Sequence, residues 1–295
     1  MKIKVEMKEF GKTGARVSSM GIGTYYDPWW LLSAKLFGRK LNRDMKLKAI
    51  NTALDEGINL IDTAEIYGSE EMVGEAVSNR DREKLFIATK VWPNHFTEEK
   101  IVRSCERSLR RMKLKYIDLY QLHFPSRRIP IGETMKAMEH LVDSGKIRNI
   151  GISNFGPEKM EEAISSMKRH EIASTQMPLN LVNRKNETEI LPICRKNRIV
   201  MLAYYPLGHG SLVNVAQFGN DVYGRISGTH GTVSPAQIAL NWFYSKFEDV
   251  FPIPRASNPE HVHDNILSMS WKLTPDDITM LENRFIGSSP GKVKS

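Results

Sequence analysis

Eight short apolar runs alternate with helix-like segments along almost the whole chain, and this alternation most restricts the possible folds. The runs lie at residues 19–23, 58–62, 85–89, 117–122, 147–152, 172–177, 199–204 and 250–254. Most of them are largely apolar, which is typical of parallel strands buried on both faces. Eight such strands separated by helices predict an α/β fold, a (β/α)8 TIM barrel, rather than an open doubly wound sheet.

The segments between the predicted strands carry signals for helix starts and ends. At four positions an N-cap residue is followed by glutamates or by proline, which are favoured in the first turn: Thr97, Ser234, Asn258 and Thr274. A helix over residues 133–144 is expected to end at Gly145. The residues before Ser19, with residues 5–10 followed by the turn-like residues 11–14, predict a β-hairpin that covers the bottom of the barrel.

Two stretches have no place in the repeat of strand and helix. Residues 27–43 contain the apolar run WWLLSAKLF, which fits a substrate wall, a subunit contact or a small satellite core equally well. Residues 208–233 are glycine-rich and polar. Long loops inside compact domains are usually functional, so we expect a ligand loop or lid there. No domain boundary is visible, and we expect residues 1–295 to form a single domain.

Composition narrows the class of protein. No run of about 18 apolar residues occurs, so no membrane span is expected. The first residues lack the apolar core of a signal peptide, so we expect a cytoplasmic protein with two reduced core thiols, Cys105 and Cys194. The net charge of +8 fits either an anionic ligand or a basic surface that serves solubility. Lysines and arginines are scattered rather than clustered with aromatics, so nucleic-acid binding is not expected.

Ionisable residues collect at the ends of the predicted strands, where such barrels place their active sites. Asp62, Lys90 and His123 end or follow strands, and Tyr67 lies on the loop after Asp62. A phenol has a pKa of about 10, and an ammonium held beside it by a carboxylate is expected to lower that pKa and make the phenol a proton donor. Each residue alone has a structural alternative, such as a helix cap or a satisfied barrel histidine. Together they predict a proton-transfer site.

Eight segments also match the motifs of a known family in the family's own order. They are GIGTYY (21–26), INLIDTAEIYGSEEMVGEA (58–76), IATKVW (87–92), YIDLYQLHFP (116–125), VDSGKIRNIGISNF (142–155), TQMPLN (175–180), AYYPLGHG (203–210) and FPIPRASNPEHVHDN (251–265). In these segments the chain resembles the aldo-keto reductases. The resemblance implies hydride exchange between a nicotinamide cofactor and a carbonyl carbon, without a metal. It makes Tyr67 the general acid or base, tuned by Lys90 and Asp62, with His123 positioning the carbonyl.

No complete G-x-G-x-x-G fingerprint and no P-loop is present, so a dinucleotide would bind in the manner that the family resemblance implies. The residues that this resemblance assigns to the cofactor are Gly23, Thr24, Tyr25, Ser153, Asn154, Gln176, Tyr204, Leu207, Gly208, Gly210, Arg255, Ala256, Ser257, His261, Asp264 and Asn265. The polar ones at residues 153, 154 and 176 would bind the nicotinamide amide, and Tyr204 would stack on the ring.

Two departures from the family pattern concern the cofactor's phosphate. Arg255 is expected to pair with a 2′-phosphate through bidentate hydrogen bonds. The family commonly has serine where this chain has Ala256 and arginine where it has His261. Ser257 is a candidate replacement for the serine, and His261 replaces the arginine only weakly. NADP(H) is therefore the favoured cofactor, and NAD(H) is the alternative.

The substrate pocket is expected to be aromatic, although each of these side chains also fits simple packing at the barrel mouth. Its candidate residues are Tyr25, Trp29, Trp30, Trp92 and Phe124. The expected substrate is a small aldehyde or ketone. One alternative is a cofactor-binding regulatory subunit similar to potassium-channel β subunits. Another is a metal-dependent barrel hydrolase, but only one of the eight histidines lies at a predicted strand end, which disfavours a metal cluster.

Overall fold

A parallel eight-stranded sheet lies at the centre of the molecule. The computed structural model describes residues 3, 5–25 and 42–286. Its strands are β1 (Met7–Glu9), β2 (Arg16–Ser18), β3 (Ile22–Gly23), β4 (Leu60–Asp62), β5 (Phe86–Val91), β6 (Ile117–Leu122), β7 (Ile147–Ser153), β8 (Ile172–Pro178), β9 (Val200–Tyr204) and β10 (Val250–Pro252). Strands β3 to β10 pair in chain order. The backbone N–H groups of Gly21 and Gly23 donate to Pro252 and Pro254 (3.0 and 2.8 Å), which closes the sheet into a barrel.

Helices follow the strands of the barrel. They are α1 (Arg43–Asp55), α2 (Glu70–Val77), α3 (Glu98–Met112), α4 (Ile131–Asp143), α5 (Pro157–Ser166), α6 (Lys185–Glu189), α7 (Leu191–Asn197), α8 (Val215–Phe218), α9 (Asn220–His230), α10 (Pro235–Lys246), α11 (Pro259–Leu267) and α12 (Pro275–Arg284). Short 3₁₀ turns occupy Arg82–Lys84, Pro93–His95, Gly208–Val213 and Ser268–Ser270. The predicted (β/α)8 barrel is confirmed. No helix within the described ranges is long and apolar enough to cross a membrane.

The predicted N-terminal hairpin is confirmed, and it closes one end of the barrel. β1 pairs with β2 in antiparallel register. Phe10, in the turn between them, is fully buried, and its ring lies 4.6 Å from that of Phe86 and 5.4 Å from that of Phe251. These contacts fill the barrel where β5 and β10 begin. The cavity for a ligand therefore lies at the opposite end.

The cap residues lie where the sequence predicts them, but not all of them act as side-chain caps. Ser234 and Asn258 accept hydrogen bonds from the N–H groups two or three residues ahead. Thr274 forms a reciprocal capping box with Asp277. Thr97 precedes α3, but its side chain makes no cap bond. Gly145, with φ of +69°, follows α4 in the left-handed conformation that favours glycine.

Several predicted boundaries are wrong by a few residues. β3 starts at Ile22 rather than at residue 19, because the N–H of Ser19 donates to Glu6 near the hairpin (2.8 Å). β5 continues to Val91, so Lys90 lies inside a strand rather than beyond its end. β6 has the predicted bounds. The periodicity thus locates the strands, whereas pairing with neighbours fixes their ends.

The prediction that residues 208–233 form a loop is wrong, although His209, Gly210 and Val213 at the start of this stretch line the cavity at the carboxyl ends of the strands. This stretch forms a 3₁₀ turn followed by α8 and α9, and it buries Val222 and Ile226 against the core. These apolar residues lie one helical turn apart, a spacing that the glycine-rich composition obscured. Of the other insertion, residues 26–41 lie outside the described ranges, including the pocket candidates Trp29 and Trp30.

Both cysteines lie in the core as free thiols, as predicted. Cys105 in α3 and Cys194 in α7 are buried and unpaired. Burial raises the pKa of each thiol to about 12, so both stay protonated at neutral pH.

Candidate active site

A cavity of about 830 Å³ opens at the carboxyl ends of the strands. Asp62, Tyr67 and His123 lie on one part of its wall, and Arg255 and His261 lie on another. The volume is in the range of sites that enclose organic ligands of drug size. The barrel therefore places the predicted proton-transfer residues and the predicted phosphate contacts in one continuous space.

A buried ion pair lies beneath the cavity. Lys90, which has no exposed surface, donates to both carboxylate oxygens of Asp62 (2.8 and 2.7 Å) and to the carbonyl of Thr63 (2.8 Å). These bonds use the three N–H groups of the ammonium. Asp62 Oδ1 also accepts from the side-chain amides of Gln121 (3.3 Å) and Gln176 (2.9 Å). The network holds the carboxylate and the ammonium in one fixed arrangement.

Tyr67 and His123 lie next to each other on the cavity wall. Tyr67 Oη lies 3.3 Å from His123 Nε2, within hydrogen-bond distance. The Lys90 Nζ atom lies 4.9 Å from the centre of the Tyr67 ring. The backbone N–H of His123 donates to Val91 (3.0 Å), which holds the histidine beside the end of β5. A phenol, an imidazole and a buried cation thus meet at one point of the cavity.

The predicted direction of the Tyr67 pKa is wrong. Burial is the largest cause, and together with the negative charge of Asp62 it raises the pKa of Tyr67 well above its usual value. All three ammonium N–H groups of Lys90 donate to other acceptors, so none is left to donate a hydrogen bond to the Tyr67 oxygen. Burial also lowers the pKa of Lys90, while Asp62 opposes that shift.

Burial and the nearby charge of Lys90 lower the pKa of His123 to about 3. At neutral pH the site therefore holds a protonated phenol and a neutral imidazole.

The residues predicted for the nicotinamide amide form a second group next to the ion pair. Asn154 has a φ of +61°, a left-handed conformation that asparagine tolerates. Its side-chain amide donates to the His123 carbonyl (2.9 Å) and to Ser153 Oγ (2.9 Å), and its oxygen accepts from Tyr204 Oη (2.7 Å). Ser153 and Gln176 also line the cavity. These contacts orient Asn154, whose side-chain oxygen accepts one hydrogen bond and keeps a second lone pair for another.

The residues predicted for the 2′-phosphate, and two others predicted to contact the cofactor, lie farther along the same cavity. Its wall there includes Arg255, Ser257, His261, Asp264 and Asn265. Both oxygens of Asp264 already accept hydrogen bonds, one from Oγ of Ser234, the N-cap of α10 (2.7 Å), and one from Nε2 of Gln237 in α10 (2.6 Å). Asp264 thus ties α11 to the start of α10.

Most of the other predicted site residues also border the cavity. Those on its wall are Gly23, Tyr25, Leu207, Gly210, Trp92 and Phe124. Thr24, Gly208 and Ala256 are not on it. Thr24 is buried and donates to the Asp62 carbonyl (3.0 Å), and the buried Ala256 donates its N–H to Gly23 (2.9 Å). Thr24 and Ala256 therefore do not line the cavity themselves but hydrogen-bond to residues that do.

Sequence reasoning missed several residues that border or support the site. Gln121 lies two residues before His123, which directly follows β6, so strand alternation places both side chains on the same side, a signal that was available. Tyr205 and His209 line the cavity with their ring centres 3.6 Å apart. Lys46 in α1 is buried and donates to the Tyr25 carbonyl (2.6 Å). Burial and the nearby Arg255 lower its pKa to about 7, and nothing in its local sequence marks it.

The metal-hydrolase alternative lacks a ligand cluster in the part of the chain that the structure describes. No three His, Cys, Asp or Glu side chains come together there in a way that could hold an ion. His123 has Tyr67 as its neighbour rather than other ligand types.

Comparison with known proteins agrees with this geometry. The methylglyoxal reductase YeaE of Escherichia coli is 34% identical over 246 residues, which cover 82% of this chain and 85% of that protein. An aldo/keto reductase of Klebsiella pneumoniae, crystallised with NADP and acetate, is 31% identical with a TM-score of 0.82 and covers 98% of both chains. A Klebsiella pneumoniae aldo-keto reductase with NADPH is 30% identical with a TM-score of 0.83, covering 99% of this chain and 98% of that one.

The family model for the aldo/keto reductases matches residues 20–284, which span the barrel from before β3 to the end of α12. With the fold, the cavity and the relatives, this match means that the chain belongs to the aldo/keto reductase family.

Proposed function

We propose that the protein is an NADP(H)-dependent oxidoreductase that reduces small aldehydes and ketones, or oxidises the corresponding alcohols. The observation that carries this proposal is the 3.3 Å approach of Tyr67 Oη to His123 Nε2 on the wall of the cavity, above the buried Lys90–Asp62 pair. A protonated phenol beside a neutral imidazole can hydrogen-bond a carbonyl oxygen and pass it a proton. Family membership and the names of the relatives support the same reaction.

The residues of the cavity fit a nicotinamide dinucleotide. Ser153, Asn154 and Gln176 would bind the amide of the nicotinamide, and Tyr204 would lie against its ring. Gly210, with φ of +90°, lies on the same wall where the pyrophosphate would pass. When bound, the cofactor supplies a hydride to the carbonyl carbon or accepts one from the alcohol.

The four central side chains then have separate roles. Tyr67 donates the proton to the carbonyl oxygen in reduction and accepts it back in oxidation. His123, neutral because of its lowered pKa, positions that oxygen by a hydrogen bond. Lys90 places a positive charge 4.9 Å from the Tyr67 ring, which favours phenolate as the proton leaves. Asp62 holds Lys90 in place through two hydrogen bonds.

The choice between the two cofactors depends on the adenosine end. Arg255 is exposed on the cavity wall, where a 2′-phosphate would pair with its guanidinium. Ser257 and His261 line the same region and would add a hydroxyl and an imidazole. We therefore favour NADP(H), with NAD(H) as a weaker cofactor. Two buried free thiols support a reducing compartment such as the cytoplasm.

The test is an assay of the purified protein with NADPH or NADH and a panel of aldehydes, ketones and sugars, methylglyoxal included. Loss of absorbance at the reduced nicotinamide band reports turnover. We expect turnover of at least one carbonyl, faster with NADPH than with NADH. Tight cofactor binding without turnover of any carbonyl would instead support the regulatory-subunit alternative.

A further inference from the structure

We propose that Glu65 is a positioning residue that fixes the aromatic substrate wall of this site through Trp92. The inference rests on the proposed function, because the wall matters only where a carbonyl substrate binds. Glu65 does not line the cavity itself. It lies two residues before Tyr67, on the loop after β4, and its side chain is only 5% exposed.

The Glu65 carboxylate is bonded to the loop that follows β5. Its Oε1 atom accepts from the backbone N–H of Trp92 (2.6 Å) and lies 2.9 Å from Nδ1 of His95. Trp92 directly precedes the 3₁₀ turn Pro93–His95, and His95 is the last residue of that turn. One carboxylate oxygen thus holds both ends of this turn, which fixes where the Trp92 side chain emerges.

The Trp92 ring contacts the side chains that line the substrate side of the cavity. Its ring meets that of His123 edge-on at 5.2 Å and that of Phe124 at 5.5 Å. The rings of His123 and Phe124 are stacked 5.2 Å apart. All three side chains line the cavity. A shift of Trp92 would therefore change the wall against which a bulky substrate packs.

The negative charge of the Glu65 side chain is used as well as its ability to accept hydrogen bonds. The second carboxylate oxygen of Glu65 lies 3.5 Å from the guanidinium of Arg107 on α3. Arg111 donates to the backbone carbonyl of Glu65 (3.2 Å). Hydrogen bonds to a charged acceptor are stronger than those between neutral groups. An amide at this position would keep one acceptor oxygen but lose the pairing with Arg107.

Glu70 provides a matched control. Its carboxylate is 2% exposed, accepts from Thr89 (2.8 Å) and pairs with Arg111 (3.1 Å). Neither Glu70 nor these two partners lines the cavity. Glu65 and Glu70 are thus buried carboxylates of the same arginine-rich region, but only Glu65 is bonded to a residue of the substrate wall.

The experiment compares Glu65→Ala, Glu65→Gln and Glu70→Gln in the full chain. Glu65→Ala should raise KM for an aromatic aldehyde such as benzaldehyde about tenfold, and KM for propanal less than about twofold, with little change in the Kd of NADPH. Glu65→Gln should have a smaller effect because it keeps one acceptor. Glu70→Gln should leave both KM values within about twofold, even if it lowers the melting temperature.

Two further measurements separate positioning from general destabilisation. In a Trp92→Ala background, Glu65→Ala should add nothing to KM, since both substitutions act through the same ring. Hydrogen exchange of the Trp92 amide should speed up in Glu65→Ala and not in Glu70→Gln, with or without turnover.

Equal effects of the Glu65 and Glu70 variants on KM, additive effects with Trp92→Ala, or unchanged exchange at Trp92 would each overturn the inference. A wild-type protein that reduces no carbonyl would overturn the proposed function. In that case exchange at Trp92 would still decide whether Glu65 fixes the wall.

Discussion

At the scale of single residues, the main feature is how the barrel changes the acidity of Tyr67 and His123. Sequence reasoning brought Tyr67, Lys90, Asp62 and His123 together correctly, because strand ends of a barrel meet at one mouth. It predicted the opposite pKa shift for Tyr67. That sign depends on burial and on where the three N–H groups of Lys90 point, which the sequence does not specify.

These shifts predict the pH dependence of catalysis. The raised pKa of Tyr67 keeps the phenol protonated, and the lowered pKa of His123, about 3, keeps the imidazole neutral. At saturating NADPH, kcat/KM for carbonyl reduction should therefore be flat between about pH 5 and pH 9. Alcohol oxidation needs Tyr67 as a base, so its rate should rise with pH over this range. A reduction rate that falls through pH 6 to 7 would contradict the assigned shifts.

The buried ion pair predicts a pattern in stability. Lys90→Met leaves the Asp62 carboxylate buried without its ammonium, which should lower the free energy of unfolding by about 3 kcal/mol. Adding Asp62→Asn to Lys90→Met removes the unpaired charge and should recover much of that loss, although turnover stays low. Urea unfolding of the wild type, the single variant and the double variant measures both effects. A double variant no more stable than Lys90→Met would refute the assigned origin of the loss.

At the scale of elements, two threonines occupy N-cap positions, but only one of them makes a side-chain cap bond. Thr274 forms a capping box before α12, whereas Thr97 precedes α3 without a side-chain cap bond. Thr274→Ala should therefore cost about 1 kcal/mol of unfolding free energy, and Thr97→Ala only a few tenths of that. Urea unfolding checks the difference. Equal losses would mean that residue type alone, rather than the observed bond, sets the contribution.

The elements also mark how far sequence patterns can predict structure. β6 has the predicted bounds, because it begins and ends on apolar residues, although Asp118 and Gln121 interrupt the run between them. The caps at Ser234, Asn258 and Thr274 carry local signals of their own. The helix α9 was missed because glycine and polar residues outnumber the two apolar residues that anchor it. The extension of β5 through Lys90 depends on pairing with β6, which is a tertiary property.

At the scale of the whole molecule, closing the barrel decides which predicted residues reach the cavity. Family motifs identified Thr24 and Ala256 together with their neighbours, but the contact between β3 and the segment after β10 buries both. Arg255, between buried neighbours, stays on the cavity wall. The local sequence does not distinguish the buried Thr24 and Ala256 from Arg255, because the closing of the barrel decides which of these side chains points into the cavity. A single domain over residues 1–295 stays a prediction.

Ligand binding to this closed barrel should stabilise the whole fold. A ligand present at about 100 times its Kd adds about 2.7 kcal/mol to the free energy of unfolding. At equal concentration NADPH should raise the melting temperature more than NADH, and Arg255→Ala should remove most of that difference. Arg195→Ala is the control, since Arg195 pairs with Asp249 and does not line the cavity. If Arg255→Ala reduced the melting-temperature increases caused by NADPH and by NADH equally, Arg255 would not bind the 2′-phosphate.

The central claim, that Tyr67 is the proton donor of a carbonyl reductase, is tested most directly by turnover of Tyr67→Phe beside Tyr120→Phe. The control removes the same hydroxyl from a buried tyrosine of β6 whose Oη has no hydrogen-bond partner among the described residues. Tyr67→Phe should lower kcat for carbonyl reduction at least about a hundredfold with little change in the Kd of NADPH, and Tyr120→Phe should reduce at the wild-type rate. A Tyr67→Phe enzyme that keeps the wild-type kcat would contradict the account.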